Sequence, residues 1–170
     1  MPAPAIGKHT MITGQKPTVE ERLDIQELFA QYCWSLNTGD AEWYIGLFNE
    51  GGWVDHKPQG RCTTREEKLN LLNQVWYSSP YAYLGRMHLP NNFIMRREGD
   101  GVRVKAYWTI TRLEQAFNNF HLFIAGDWNA LCVQADGEWK FAELTATHWF
   151  RETAPWVGDP KVRMEKGKWG

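Results

Sequence analysis

Four of the five histidines, His56, His88, His121 and His148, are the side chains of this 170-residue sequence best suited to moving protons near neutral pH. They are dispersed, and no His-Glu-x-x-His or paired Cys-x-x-Cys spacing marks a metal site. A P-loop, a dinucleotide-binding glycine fingerprint and a nucleophile elbow are absent too. Acid–base chemistry that needs neither metal nor cofactor is what remains. His88 is the leading candidate. It lies in Arg86-Met-His-Leu-Pro-Asn-Asn92, where a helical half gives way to a strand-rich half, and such a junction is a natural cavity mouth. The alternative for it is a loop histidine bonded to backbone. His56 follows Asp55, but adjacent strand residues face opposite sides, so the two form no ready dyad. Asp55 itself reads as a solvated turn carboxylate. Arg112 shares strand parity with Trp108 and Ile110 and serves either an anionic oxygen or a surface ion pair. Trp128, in phase with Ile124 and Gly126, and His148, in phase with Leu144, Ala146 and Phe150, are pocket wall or core. His121 is out of phase with Ile124 and Trp128 and ranks lower, unless a bulge intervenes.

The elements that must position these groups come in two blocks. Ile25, Leu28, Phe29, Tyr32, Cys33 and Leu36 recur three and four residues apart, which predicts a helix over about 18–37. Thr18 and Glu21 form its expected capping box. Asn37 falls one position beyond this apolar face, so it marks either the helix end or the floor of a pocket. A second helix is expected over about 40–48, capped by Asp40 and broken by Gly51-Gly52, followed by a short β-prone Trp53–His56. Thr64 and Glu67 open a third helix with Leu69, Leu72 and Trp76 on one face. Beyond Pro80 the period changes from 3.6 to 2. A strand starts at Phe93 and turns at Glu98-Gly-Asp-Gly101. Val102, Val104, Ala106, Trp108 and Ile110 then alternate. A long strand over about 120–134, a tight turn at Ala135-Asp-Gly137 and a last strand over 139–150 complete the pattern. Helices first and antiparallel strands afterwards predict an α+β fold, three helices packed on a curved, mostly antiparallel sheet that curls into a cone.

The length fits one domain with room for a core and a cavity. Residues 1–17 are expected to form a flexible arm, 18–152 the domain, and 153–170 an irregular tail. A net charge of −1 with scattered Lys and Arg gives no pull toward nucleic acid or an anionic membrane. No apolar run approaches a membrane span, and the N-terminal stretch lacks the apolar core of a secretory signal. Three well-separated cysteines suggest a reducing, cytoplasmic setting. Ten Trp, eight Phe and six Tyr imply a bulky core, a buried subunit interface or a pocket lined for an aromatic ligand.

Residues 18–150 resemble the nuclear-transport-factor-2-like superfamily, and within it the SnoaL-like and scytalone-dehydratase-like enzymes. The resemblance rests on Ile25-Gln-Glu-Leu-Phe-Ala-Gln-Tyr, Leu36-Asn-Thr-Gly-Asp-Ala-Glu-Trp-Tyr-Ile-Gly-Leu-Phe48, His88-Leu-Pro-Asn-Asn and Asp136-Gly-Glu-Trp-Lys-Phe141, taken in order. It implies a cone-shaped α+β barrel with a pocket between helices and sheet, in dimers or trimers. In dehydratase-type members, an Asp at the end of helix one pairs with a His at the start of the sheet. His88 matches the His, but Asn37 stands at the Asp position. An amide cannot take up a proton in catalysis, though it can orient His88 or hold a substrate hydroxyl. His56 matches, by count, a tyrosine that polarises the substrate oxygen. Pocket-wall positions fall near Trp108, Ile110, Arg112, Gly126, Trp128, Ala146 and His148, with Tyr83 and Val54 as further substrate contacts.

The superfamily also holds ketosteroid isomerases, polyketide cyclases, epoxide hydrolases, non-catalytic dioxygenase β subunits and cofactorless lyases of lignin-derived diaryl compounds. The tryptophan-rich walls favour an aromatic substrate. The expected function is therefore a cofactor-independent lyase, working in a homo-oligomer on a small aromatic alcohol and releasing water or formaldehyde. His88, His56, Asn37 and Arg112 are the expected catalytic set. A non-catalytic β subunit and an isomerase or cyclase are the competing readings.

Overall fold

A computed structural model describes residues 12–57, 59–77, 86–114 and 119–149. The elements are α1 (Val19–Thr38), α2 (Ala41–Gly46), β1 (Phe48–His56), β2 (Gly60–Cys62), α3 (Arg65–Leu72), β3 (Met87–Glu98), β4 (Gly101–Glu114), β5 (Asn119–Ala135) and β6 (Glu138–His148). Six strands form one sheet in the order β2-β1-β6-β5-β4-β3. It is mixed, because β1 runs parallel to β6, and it stays open, with β2 and β3 as its edges. The expected α+β cone is therefore a curved sheet covered by helices and not a closed barrel.

Both predicted capping boxes form. Thr18 Oγ1 accepts the Glu21 N–H at 3.2 Å while a Glu21 carboxylate oxygen accepts the Thr18 N–H at 2.9 Å. Thr64 and Glu67 repeat the arrangement at α3. All six predicted inward residues of α1 are buried. The helix stops at Gly39, whose φ of 75° is the left-handed cap that glycine adopts at little steric cost. Asp40 accepts the Trp43 N–H at 2.9 Å and opens α2 as expected.

Several boundaries differ from the sequence expectation. The second helix ends at Gly46, and Phe48 already belongs to β1, so Gly51-Gly52 lies inside a strand. The β1–β6 register shifts there, and a Cβ on Gly52 would sit 2.5 Å from the Phe141 carbonyl oxygen. The glycine serves a bulge and not a helix stop. In α3 the interior positions are Lys68, Leu71 and Leu72, while Leu69 is only half-buried; the Trp76 side chain lies outside the described residues. Lys68 is tolerated inside because its ammonium donates to the carbonyls of Gly52 (2.6 Å) and Thr63 (2.8 Å). β3 begins at Met87, six residues before Phe93. Pro90 had masked this, yet proline is acceptable on an edge strand, and Asn92 at φ 54° makes a bulge. Of the expected N-terminal arm, the described part, from residue 12, runs beside β3, where the Gln15 carbonyl accepts the Arg97 N–H at 2.8 Å. Residues 1–11 and the expected tail 153–170 lie outside the described residues.

The concave face of the sheet is a series of cross-strand rows. Val54, Leu144, Ala130, Val104 and Met95 form a fully apolar one. His56, Ala146, Trp128 and Ala106 form the next, and His148, Gly126, Trp108 and Pro90 the one after. Ile124, Ile110 and His88 follow. Small residues beside large ones let the indoles lie down on the sheet. Gly126 is the extreme case: a Cβ there would sit 2.1 Å from the Thr147 carbonyl oxygen and 2.2 Å from the Trp108 ring. A backbone carbonyl in a paired strand cannot retreat, so Gly126→Ala should lower stability by about 3 kcal/mol, the upper end for overpacking. Equilibrium urea unfolding measures it, and a loss below about 0.5 kcal/mol would mean that Trp108 does not cover Gly126.

Candidate active site

Where the rows turn from apolar to polar, α1 stands off the sheet and leaves a pocket. Tyr32, Leu36, His56, His88, Trp108, Ile110, Trp128, Ala146 and His148 line it around about 230 Å³ of space. As it stands it admits little more than a water-sized body, so a ring-bearing ligand has to part the walls. No carboxylate is among the lining residues described. Seven sequence-predicted residues therefore come together here: His56, His88, Trp108, Ile110, Trp128, Ala146 and His148.

Asn37 reaches the same place from the last turn of α1. Its Oδ1 accepts the His88 backbone N–H at 3.2 Å and lies 2.7 Å from His88 Nδ1. The backbone N–H can only be met by an oxygen, which fixes the amide orientation. The same oxygen then requires a proton on Nδ1, so the lone pair of the neutral ring is on Nε2. Asn37 is thus neither simply a helix end nor an open pocket floor: it sets the tautomer of the histidine beside it.

The other two imidazoles are held less alike. His148 Nδ1 donates to the Lys57 carbonyl at 3.1 Å, again placing the lone pair on Nε2. His56 Nδ1 lies 2.8 Å from Gln59 Oε1. Among the described residues that amide has no second contact of this kind, so it can turn and offer either atom, and His56 can take either tautomer. The His56 and His148 rings meet edge to face at 4.6 Å, and His148 meets Trp108 at 4.9 Å. Burial, then the nearby Arg86, pushes His88 down to about 3. Burial and then His148 push His56 down to about 4, and burial lowers His148 as well. All three are neutral near pH 7.

Arg112 is half-buried on β4, one alternation beyond Ile110, with its guanidinium 5.1 Å from the Phe123 ring. It is not in the pocket lining. His121 is corrected upward: β5 carries an extra residue between Leu122, opposite Thr111, and Ile124, opposite Ile110. This bulge reverses the phase and sets His121 opposite Arg112. Val54 is fully buried one row below the pocket, in the core. Asp55 is buried and bound to Lys57 at 2.7 Å, not a solvated turn residue. Tyr83 lies outside the described residues. Sequence reasoning missed Gln59, whose role depends on the β1–β2 turn, and Tyr32 and Leu36, which it had placed only in the core.

Residues 17–145 match the SnoaL-like domain model, and the chain belongs to that family. Its fold is that of ActVI-ORFA from Streptomyces coelicolor, at 16% identity and a TM-score of 0.68 over 76% of this chain and 98% of that one. The type-3 LinA hexachlorocyclohexane dehydrochlorinase of Novosphingobium barchaimii matches at 18% identity and a TM-score of 0.63, over 78% and 88% of the two chains. A cystatin-like-fold protein of Nostoc punctiforme gives 18%, 0.65, and 79% and 96%. No curated protein matches by sequence. The family includes enzymes that act without a cofactor. Among the described residues no cluster of His, Cys, Asp or Glu is arranged to hold a metal ion, and no helix is long and apolar enough to cross a membrane.

The depressed histidines tie stability to pH. Below about pH 6.5 the unfolded chain takes up protons that folded His56, His88 and His148 refuse. Their contribution is thus complete above about pH 6.5 and is lost as pH falls toward about 4 and then 3. Urea midpoints should fall across this window, and His88→Gln should flatten the decline. An unchanged slope in that variant would show that His88 titrates normally when folded.

Proposed function

We propose that this chain is a cofactor-independent lyase acting on a small aromatic alcohol, with His88 Nε2 as the proton acceptor. The observation that carries the reading is the double acceptance by Asn37 Oδ1, which leaves the lone pair of His88 on Nε2 in a pocket walled by Trp108 and Trp128. An uncharged amide behind the imidazole supports it less than a carboxylate would as it gains a proton. That favours taking a proton from oxygen over taking one from carbon. In a primary alcohol, His88 would accept the hydroxyl proton, the carbon–carbon bond would break to release formaldehyde, and the same proton would return to the ring-bearing carbon. Loss of water remains the second form of the reaction. His56 would polarise the departing oxygen when Gln59 presents its amino group, leaving Nε2–H as donor. Arg112 would face charge developing on the substrate.

A binding subunit without catalysis is the rival reading, favoured by an amide, Asn37, where the resemblance implies a carboxylate at the end of α1. Turnover separates the two. His88→Ala should lower kcat by about 10²–10⁴, the usual worth of a positioned acid–base group, while the fold survives. Near-wild-type turnover in that variant would overturn the role. Product mass identifies the fragment lost, and unchanged mass would point to an isomerase. Asn37→Asp should restore a carboxylate behind Nδ1, raise the His88 pKa and move the acid limb of kcat/KM toward neutral pH. An acid limb that stays put would detach Asn37 from the chemistry.

The outer face of the sheet supports self-association as part of the same proposal. Met87, Leu89 and Leu122 expose 42%, 44% and 62% of their surface there, beside Thr109 and Thr111. Leu122→Lys should lower the mass seen by light scattering, and a monomer in the parent protein would contradict it.

A further inference from the structure

The three imidazoles that line the pocket differ in what stands behind them. His148 Nδ1 faces the Lys57 carbonyl at 3.1 Å, and a backbone carbonyl can only accept. His88 Nδ1 faces Asn37 Oδ1, which the His88 backbone N–H holds in place. Both rings are thereby fixed with the proton on Nδ1. His56 Nδ1 instead faces a side-chain amide, that of Gln59, at 2.8 Å. With the amide oxygen toward the ring, Nδ1 carries the proton and Nε2 accepts. After half a turn the amide nitrogen donates to Nδ1, and Nε2 carries the proton and donates.

The fold keeps Gln59 within reach of this ring without clamping it. His56 pairs with Gly60 across β1 and β2, so Gln59 closes the turn between them. The turn is anchored at Lys57. Its N–H donates to the Ala146 carbonyl at 3.0 Å, its carbonyl takes the His148 bond, and its ammonium pairs with Asp55 at 2.7 Å. Gln59 is exposed, whereas His56 is 6% exposed and lines the pocket. The proton position of a buried ring can therefore be changed by rotating an amide outside the pocket.

We infer that Gln59 is a positioning residue that lets the ligand choose the tautomer of His56: an oxygen without a proton of its own draws the Nε2–H form, and Gln59 turns its amide nitrogen to Nδ1 to hold it. The inference rests on reading the pocket as a substrate site and deepens that reading. Rings fixed with the proton on Nδ1, as in His88 and His148, suit a hydroxyl proton, but an oxygen that has given its proton up needs a donor. His56 is the imidazole that can become one. The ring stays neutral throughout, since Nδ1 releases one proton to solvent and Nε2 takes one up. The ligand class is then an aryl carbonyl, or an alkoxide formed in the pocket.

Nitrogen-15 NMR of the histidine rings in the full chain, at mildly alkaline pH, tests it with acetophenone and 2-phenylpropene. The probes have nearly the same shape, and acetophenone alone has an oxygen. In the free chain His56 should show an average of both tautomers. Acetophenone should move it to Nε2–H, and 2-phenylpropene should not. Gln59→Glu presents only oxygens and should hold His56 at Nδ1–H, whereas Gln59→Lys presents only donors and should hold Nε2–H. By calorimetry the parent chain should bind acetophenone about two- to tenfold tighter than 2-phenylpropene, the worth of one neutral hydrogen bond. Gln59→Lys should keep that preference and Gln59→Glu should lose it. A residue that merely shapes the turn would not sort the two variants in this way. Position 59 is exposed, so both substitutions leave the core untouched. A His56 tautomer that is the same in all three chains, one that acetophenone does not move, or a preference that is missing from the parent or survives Gln59→Glu overturns the inference. No turnover is read, so a chain that shows the switch but eliminates nothing overturns the lyase reading alone.

Discussion

The structure depends on one oxygen atom. Asn37 Oδ1 accepts two N–H groups of His88, one from the backbone and one from the ring. The first bond ties the last turn of α1 to the start of β3. The second decides which nitrogen of His88 can act as a base. At the other end of α1, Glu21 completes the capping box and also pairs with Arg97 near the end of β3. The helix is therefore pinned to the same edge strand at both ends, and the pocket is the space left between those pins and the sheet. A carboxylate at position 37 would make the same two bonds but would raise the basicity of His88. The amide keeps the geometry and leaves the ring neutral.

That neutrality links the site to the rest of the fold. The rows of the sheet pass from apolar through histidine-bearing to basic within a few alternations, and β4 alone carries Val104, Ala106, Trp108, Ile110 and Arg112 on one face. Burial that suits the first of these residues also drives protons off His56 and His88. Gly126 and Ala146 supply the flat ground on which both tryptophans rest.

Much of this was legible in the sequence, because most of the relevant signals are local. The capping boxes, the apolar face of α1 and the alternation in β4 depend on residues a few positions apart, and all appear in the structure. The hand-over of Asn37 to His88 was legible only through family resemblance, since 51 residues separate the two. What was not legible came from bulges. The one at Asn92 hid the first half of β3, the one at Gly51-Gly52 looked like a helix stop, and the one in β5 put His121 on the face that simple alternation denied it. A bulge is chosen by pairing with a neighbouring strand, and that partner is distant in sequence.

The central claim is that His88 is a neutral imidazole with its proton on Nδ1 and its lone pair on Nε2. Nitrogen-15 NMR of the histidine rings, followed from neutral pH into acid, reads this directly. The account predicts a single Nδ1–H tautomer for His88 that persists below pH 5 and takes up a second proton only near its depressed value of about 3. A proton found on Nε2 at neutral pH, or a titration near the ordinary 6.5, would contradict it.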